Sequence, residues 1–139
     1  MSVPTRVVIA AGGTAGHVIP ALCVADALKE SGAEVAFIGA HRAEAKLVPA
    51  AGYPFHPIVV EGISRTNPAR AMRAMVKASG AIPASQKLLR ELRADVVLGG
   101  GGYVAGPVGM AAVMRRLPLV LTEADSHLGL TNRALAPFA

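Results

Sequence analysis

Short, nearly unbroken apolar runs alternate along this chain with longer stretches in which apolar residues recur every three or four positions. RVVIAA at 6–11, AEVAFIG at 33–39, FHPIVV at 55–60, DVVLGG at 95–100 and LPLVLT at 117–122 each read as a short buried strand. Between them, 18–31 sets Val18, Leu22, Ala25 and Leu28 at helical spacing, with Pro20 tolerated in the first turn. A short helix is predicted at 41–52, stopped near Pro49 and Gly52, and 68–93 gives one or two helices broken around Gly80 and Pro83. The spacing predicts two more helices, over 104–116 and 129–138. Apolar strands alternating with helices imply a parallel sheet covered on both faces, so the fold class is α/β, Rossmann-like.

Composition agrees with one packed domain: 139 residues, 53% of them hydrophobic, with no internal repeat, low-complexity tract or evident linker. No apolar run approaches the roughly 20 residues that span a bilayer, and Met1 is followed by no signal-like segment, so the chain is expected to be neither secreted nor integral to a membrane. Its one cysteine, Cys23, falls on an apolar helix position and is read as packing, which leaves no internal disulfide and no cysteine metal site. The net charge of +5 is local. Seven basic residues stand between 64 and 93 against Glu91 alone, so that stretch carries +6 and the remainder −1, which points to one acidic partner surface.

Ligands of such sheets bind beyond the carboxyl ends of the strands. Three motifs fall there: GGTAGH at 12–17, GGGGYVAGP at 99–107 and TEADS at 122–126. Gly12, Gly13 and Gly16 remove Cβ atoms where strand turns into helix, and the helix start aims N–H groups at whatever fills the turn, which suits phosphate. Close packing of strand on helix is the other reading. A second glycine turn, with Gly101 and Gly102 before Tyr103, would face the same crevice, and paired turns suit a diphosphate. The dinucleotide fingerprint is not met, because Gly12 and Gly13 are adjacent and no acidic residue ends the second strand. His41 and Arg42 could meet a 2′-phosphate, which keeps an NADP enzyme as an alternative. Nucleic-acid binding has little support, with no tryptophan, few aromatic residues and no recognisable module.

With GGTAGHVIPALCVADAL, EAKLVPAAGYPF, GGYVAGPVGMAA and GLTNRALAPFA in this order and spacing, the chain resembles the amino-terminal half of the MurG glycosyltransferases. The resemblance covers nearly the whole chain from Arg6. It implies an acceptor-binding Rossmann-like domain over 1–139, carboxyl-terminally incomplete, of an inverting transferase that moves N-acetylglucosamine from UDP-N-acetylglucosamine to lipid I, making lipid II for peptidoglycan. It implies a second, donor-binding domain, absent from this chain, and no cofactor or metal ion. By position, His17 matches the family's proposed general base; a structural histidine capping the helix is the other reading. Thr14, Ala15, Gly16 and Asp125 match donor contacts, Gly13, Gly101, Gly102 and Tyr103 the acceptor-diphosphate site, and Glu123 and Asn132 supporting positions.

Two departures from the family's pattern stand out. Ala15 replaces a glycine, and 122–125 read Thr-Glu-Ala-Asp where the family has His-Glu-Gln-Asn. Asp125 is then a helix N-cap, a substrate contact or a base. In the basic stretch Arg70, Arg73 and Lys77 form one helical stripe and Met72, Met75 and Val76 another, either a solvated face beside a buried one or an amphipathic contact with an anionic membrane surface. The resemblance implies the second, at the cytoplasmic face of the bacterial plasma membrane. A related glycosyltransferase with another acceptor is the alternative, and a membrane-associated subunit that recruits a separate donor-binding chain a third. The chain by itself is expected to be inactive and to self-associate as a homo-oligomer through the surface beyond its last helix.

Overall fold

The computed structural model describes residues 2–60 and 66–139, the side chains of 71–78 excepted. Its strands are β1 (Arg6–Ala10), β2 (Glu34–Gly39), β3 (Phe55–Pro57), β4 (Val96–Gly99) and β5 (Leu119–Leu121), all parallel, in the order β3-β2-β1-β4-β5. The helices are α1 (Ala15–Glu30), α2 (Ala43–Ala50), α3 (Pro68–Glu91), α4 (Ala105–Met114) and α5 (Leu130–Leu135), followed by a 3-10 turn at Ala136–Phe138. The predicted α/β class is borne out.

β1 is the central strand and shows why its run is apolar throughout. Val8 pairs in register with Ala36 of β2 and Val97 of β4. Val8 and Ala10 point into a core shared with Ala81 and Leu89 of α3 and Val108 of α4. Val7 and Ile9 point the other way, onto Val18, Ala21 and Ala25 of α1 beside Phe37. Each face of the strand is thus sealed by helices. Chain order reverses at β1, with β2 and β3 on one side and β4 and β5 on the other, so the turns leaving β1 and β4 meet at the switch point.

Two elements differ from expectation. The third strand pairs only over Phe55–Pro57 rather than 55–60, although Ile58 still donates to the Gly39 carbonyl at 2.8 Å and is buried. α3 is one helix of 24 residues, one of the two alternatives, but it is not broken at Gly80 and Pro83. Its start is local chemistry: Pro68 at the first turn, and Asn67 Oδ1 accepting the N–H groups of Ala69 and Arg70. Its continuity is tertiary. Ala81, Ser85 and Leu89 are buried at four-residue spacing, and the packing of that stripe holds the helix past the breakers.

Ile9 is fully buried in the central strand. Ile9→Ala is expected to lower unfolding free energy by about 2 to 5 kcal/mol, the range for deleting such a side chain, measured by urea titration.

Candidate active site

After β1 the chain turns through Gly12 and Gly13 into α1. Gly13 has φ +102°, a conformation that a side chain resists. Thr14 occupies the N-cap with an extended backbone, but its hydroxyl caps no helix N–H. Thr14 Oγ1 instead hydrogen-bonds His17 Nδ1 at 3.1 Å. α1 therefore starts at Ala15, three residues before the predicted start, and half-buried His17 sits in its first turn. Ala15 is exposed and is the first helical residue, so its methyl stands on the helix rather than in the turn itself. Gly16 is exposed beside it.

The second turn closes against the first. Gly101 and Gly102 have φ of +87° and +79°. A Cβ on Gly101 would lie 2.9 Å from His17 Cδ2, and one on Gly102 would collide with the carbonyl oxygen of Gly12. Only glycine lets the two backbones meet around the imidazole. Tyr103 lays its ring on Gly13, where a Cβ would stand 3.1 Å from Cε1. Burial, and next the nearby Glu44 carboxylate, raise the Tyr103 phenol above its ordinary pKa, against the pull of Arg42.

Glu44, in the first turn of α2, is fully buried. Its Oε1 accepts the Ala40 N–H at 2.8 Å and its Oε2 accepts the Gly13 N–H at 3.1 Å. Its carboxylate fills the space that a Cβ on Gly12 would need, and its Cγ, with the Phe55 ring, the space at Gly39. The sequence reading assigned Glu44 no role. The signal available was a carboxylate just after β2 in a chain with bare glycines at both neighbouring turns. Because the Gly13 N–H is directed inward, a phosphate at this turn has to be met by other donors.

The third motif forms the opposite wall. Glu123 Oε2 accepts the Gly129 N–H at 2.9 Å and Asn132 Nδ2 at 3.1 Å, while Oε1 accepts the Asp125 N–H at 3.2 Å. These bonds, the Gly129 one foremost and helped by the charge of His17, hold its carboxyl below the ordinary value of 4.5. Asn132 is buried and also donates to the Thr122 carbonyl at 2.9 Å. Its Oδ1 has no partner among the described residues. The N-cap reading of Asp125 is corrected: α5 starts at Leu130 behind Gly129, and Glu123, not Asp125, takes the Gly129 N–H. Asp125 is left exposed at the cleft.

Between these walls lies a cleft of about 310 Å³, with His17, Gly101, Gly102 and Tyr103 on one side and Glu123, Asp125 and Asn132 on the other. A larger cavity of about 430 Å³ lies at the amino ends of β1 and β2, walled chiefly by Val7, Val8, Val35 and Pro54. Gly52 lines it, but no histidine and none of the three carboxyl-end motifs does; those motifs meet at the smaller cleft. Arg70 is exposed in the first turn of α3, apart from the cleft, and Met72, Arg73, Met75 and Lys77 lie outside the residues whose side chains are described. Among the described residues no helix is long and apolar enough to cross a membrane.

The model of the glycosyltransferase family 28 N-terminal domain matches residues 7–139. The chain belongs to glycosyltransferase family 28. A relative from Acidithiobacillus ferrooxidans, named UDP-N-acetylglucosamine--N-acetylmuramyl-(pentapeptide) pyrophosphoryl-undecaprenol N-acetylglucosamine transferase, is 50% identical over 134 residues, which are 96% of this chain and 37% of that protein. A relative of the same name from Nitrosococcus oceani is 44% identical over 96% of this chain and 38% of its own. The crystal structure of Acinetobacter baumannii MurG superposes with a TM-score of 0.86 at 35% identity, covering 98% of this chain and 40% of that one. The MurG resemblance of the four motifs is thus borne out. This family 28 chain spans less than two fifths of the length of the curated relatives cited.

Glu123 supplies a pH signature. A carboxyl whose folded pKa is depressed stabilises the fold above its unfolded value, and that contribution fades as pH falls through the folded value. Glu123→Gln should cost at most about 1 kcal/mol at pH 7, because the carboxylate stands at the open cleft and solvent screens its charge. The gap to wild type should narrow below pH 4.5, as read from urea midpoints across pH.

Proposed function

We propose that this chain is the acceptor-binding part of an inverting glycosyltransferase that moves N-acetylglucosamine from UDP-N-acetylglucosamine to lipid I, forming lipid II for peptidoglycan synthesis. The observation that carries the reading is the imidazole of His17, locked between two glycine turns on the wall of a cleft and facing a wall that bears Glu123. The 50% identical relative, whose name states this transfer, supports the choice of donor and acceptor. When Nδ1–H donates to Thr14 Oγ1, the Nε2 lone pair is free to accept a proton. The acceptor hydroxyl gives that proton to Nε2 as its oxygen attacks the anomeric carbon, the bond to UDP breaks on the opposite face, and the configuration inverts.

The remaining assignments follow the same layout. The 16-residue helix α1 presents its amino end beside Thr14, Ala15 and Gly16, where donor diphosphate charge is favoured. Gly101, Gly102 and Tyr103 form the acceptor-diphosphate side, with Gly13 supplying its shape rather than its N–H, and Asp125 faces the donor sugar. A donor-binding domain closes the cleft, and the length of the relatives supports its presence in the full-length protein. The basic stripe at the start of α3 rests on anionic lipid at the cytoplasmic face of the plasma membrane, which brings the cleft to a bilayer-held acceptor.

In the full-length protein, His17→Ala should lower kcat roughly 10²- to 10⁴-fold with the fold intact, the range expected for a lost general base. Turnover near wild type in a lipid I assay rejects the catalytic role. Replacing Arg70, Arg73 and Lys77 with Glu should release the protein from acidic vesicles, since each basic residue contributes about 1 kcal/mol near such a surface. Equal binding of wild type to neutral and anionic vesicles rejects the electrostatic attachment.

A further inference from the structure

We propose that Glu44 is a positioning residue for this reaction: its buried carboxylate pins the Gly12–Gly13 turn to the end of β2 and so fixes where Thr14 and His17 stand. The inference rests on the role given to His17 above. Both carboxylate oxygens are used, one on the Gly13 N–H at 3.1 Å and one on the Ala40 N–H at 2.8 Å, so a single side chain joins the turn after β1 to the turn after β2. Neither β1 nor β2 could make this link by sheet bonding, because their pairing ends at Ala10 and Ile38. Space is reserved for the link, since a Cβ at Gly12 would meet Glu44 Oε1 and one at Gly39 would stand 2.6 Å from Glu44 Cγ.

The consequence passes along four residues. Thr14 follows the pinned amide directly, and its hydroxyl holds His17 Nδ1 at 3.1 Å. On the other side the imidazole meets Gly101, and the Gly12 carbonyl meets Gly102, so the ring has no slack in which to correct a displaced turn. A misplaced base costs rate at the chemical step more than it costs binding. Glu44 is fully buried, so it acts without touching substrate.

The test is Glu44→Gln in the full-length protein. The amide keeps the size of the carboxylate but can accept only one of the two N–H groups. The expected result is a fall in kcat of about 10-fold or more with the KM for UDP-N-acetylglucosamine within about 2-fold of wild type. In a His17→Ala background the same substitution should cause no further loss, because the two act as a unit. Wild-type kcat, or losses that add fully in the double variant, would overturn the proposal. Glycine-selective labelling of the unaltered protein gives a readout that needs no variant. The Gly13 amide is expected to exchange slowly with solvent, and exchange at the rate of an unbonded glycine overturns the pin. If His17→Ala itself turns over normally while Gly13 is protected, the catalytic reading of His17 has failed and the link from Glu44 to the turn stands.

Discussion

There is no room for a methyl group between Gly12, Gly102 and the carboxylate of Glu44, and the site depends on that lack of room. Parallel strands end side by side, so the turns that leave β1 and β4 at the switch point are forced together. With side chains there the two backbones would be held apart. With glycines they touch, and the imidazole of His17 is caught where they meet. The left-handed angles at Gly13, Gly101 and Gly102 have the same origin: each turn reverses direction within a space too small for a Cβ.

Charge is arranged around this contact in two layers. Glu44 lies beneath the first turn, fully buried, with each oxygen on a backbone N–H, which is how a carboxylate tolerates removal from water. Glu123 lies across the cleft with three donors of its own. One acidic group shapes the backbone and the other lines the cleft. The Glu123 bonds also tie the loop after β5 to the start of α5, so the wall opposite His17 is held by one side chain at its root.

The basic stretch belongs to a different part of the molecule. α3 lies on the sheet face that also carries α4, and its second half is fixed by Ala81, Ser85 and Leu89. Its first turn, with Arg70 exposed, is held by the Asn67 cap.

The sequence alone determined the fold class and the first outline of the site. Parallel strands buried on both faces must be apolar throughout, so their runs are visible without knowing their neighbours, and glycines followed by His17 mark a turn that a helix start requires. Strand and helix edges were legible to within a few residues. Three matters were decided only by tertiary structure. α3 continues through Gly80 and Pro83 because its packed stripe outweighs a local signal to stop. Asp125 stands where a cap is plausible by spacing, but the loop folds so that Glu123 reaches the Gly129 N–H first. Nothing local in the sequence marks Glu44 as a link between turns, and its partner amide at Gly13 lies 31 residues away. Local sequence carries the propensity of each element, whereas a hydrogen bond between two turns exists only once the sheet has brought their strands together.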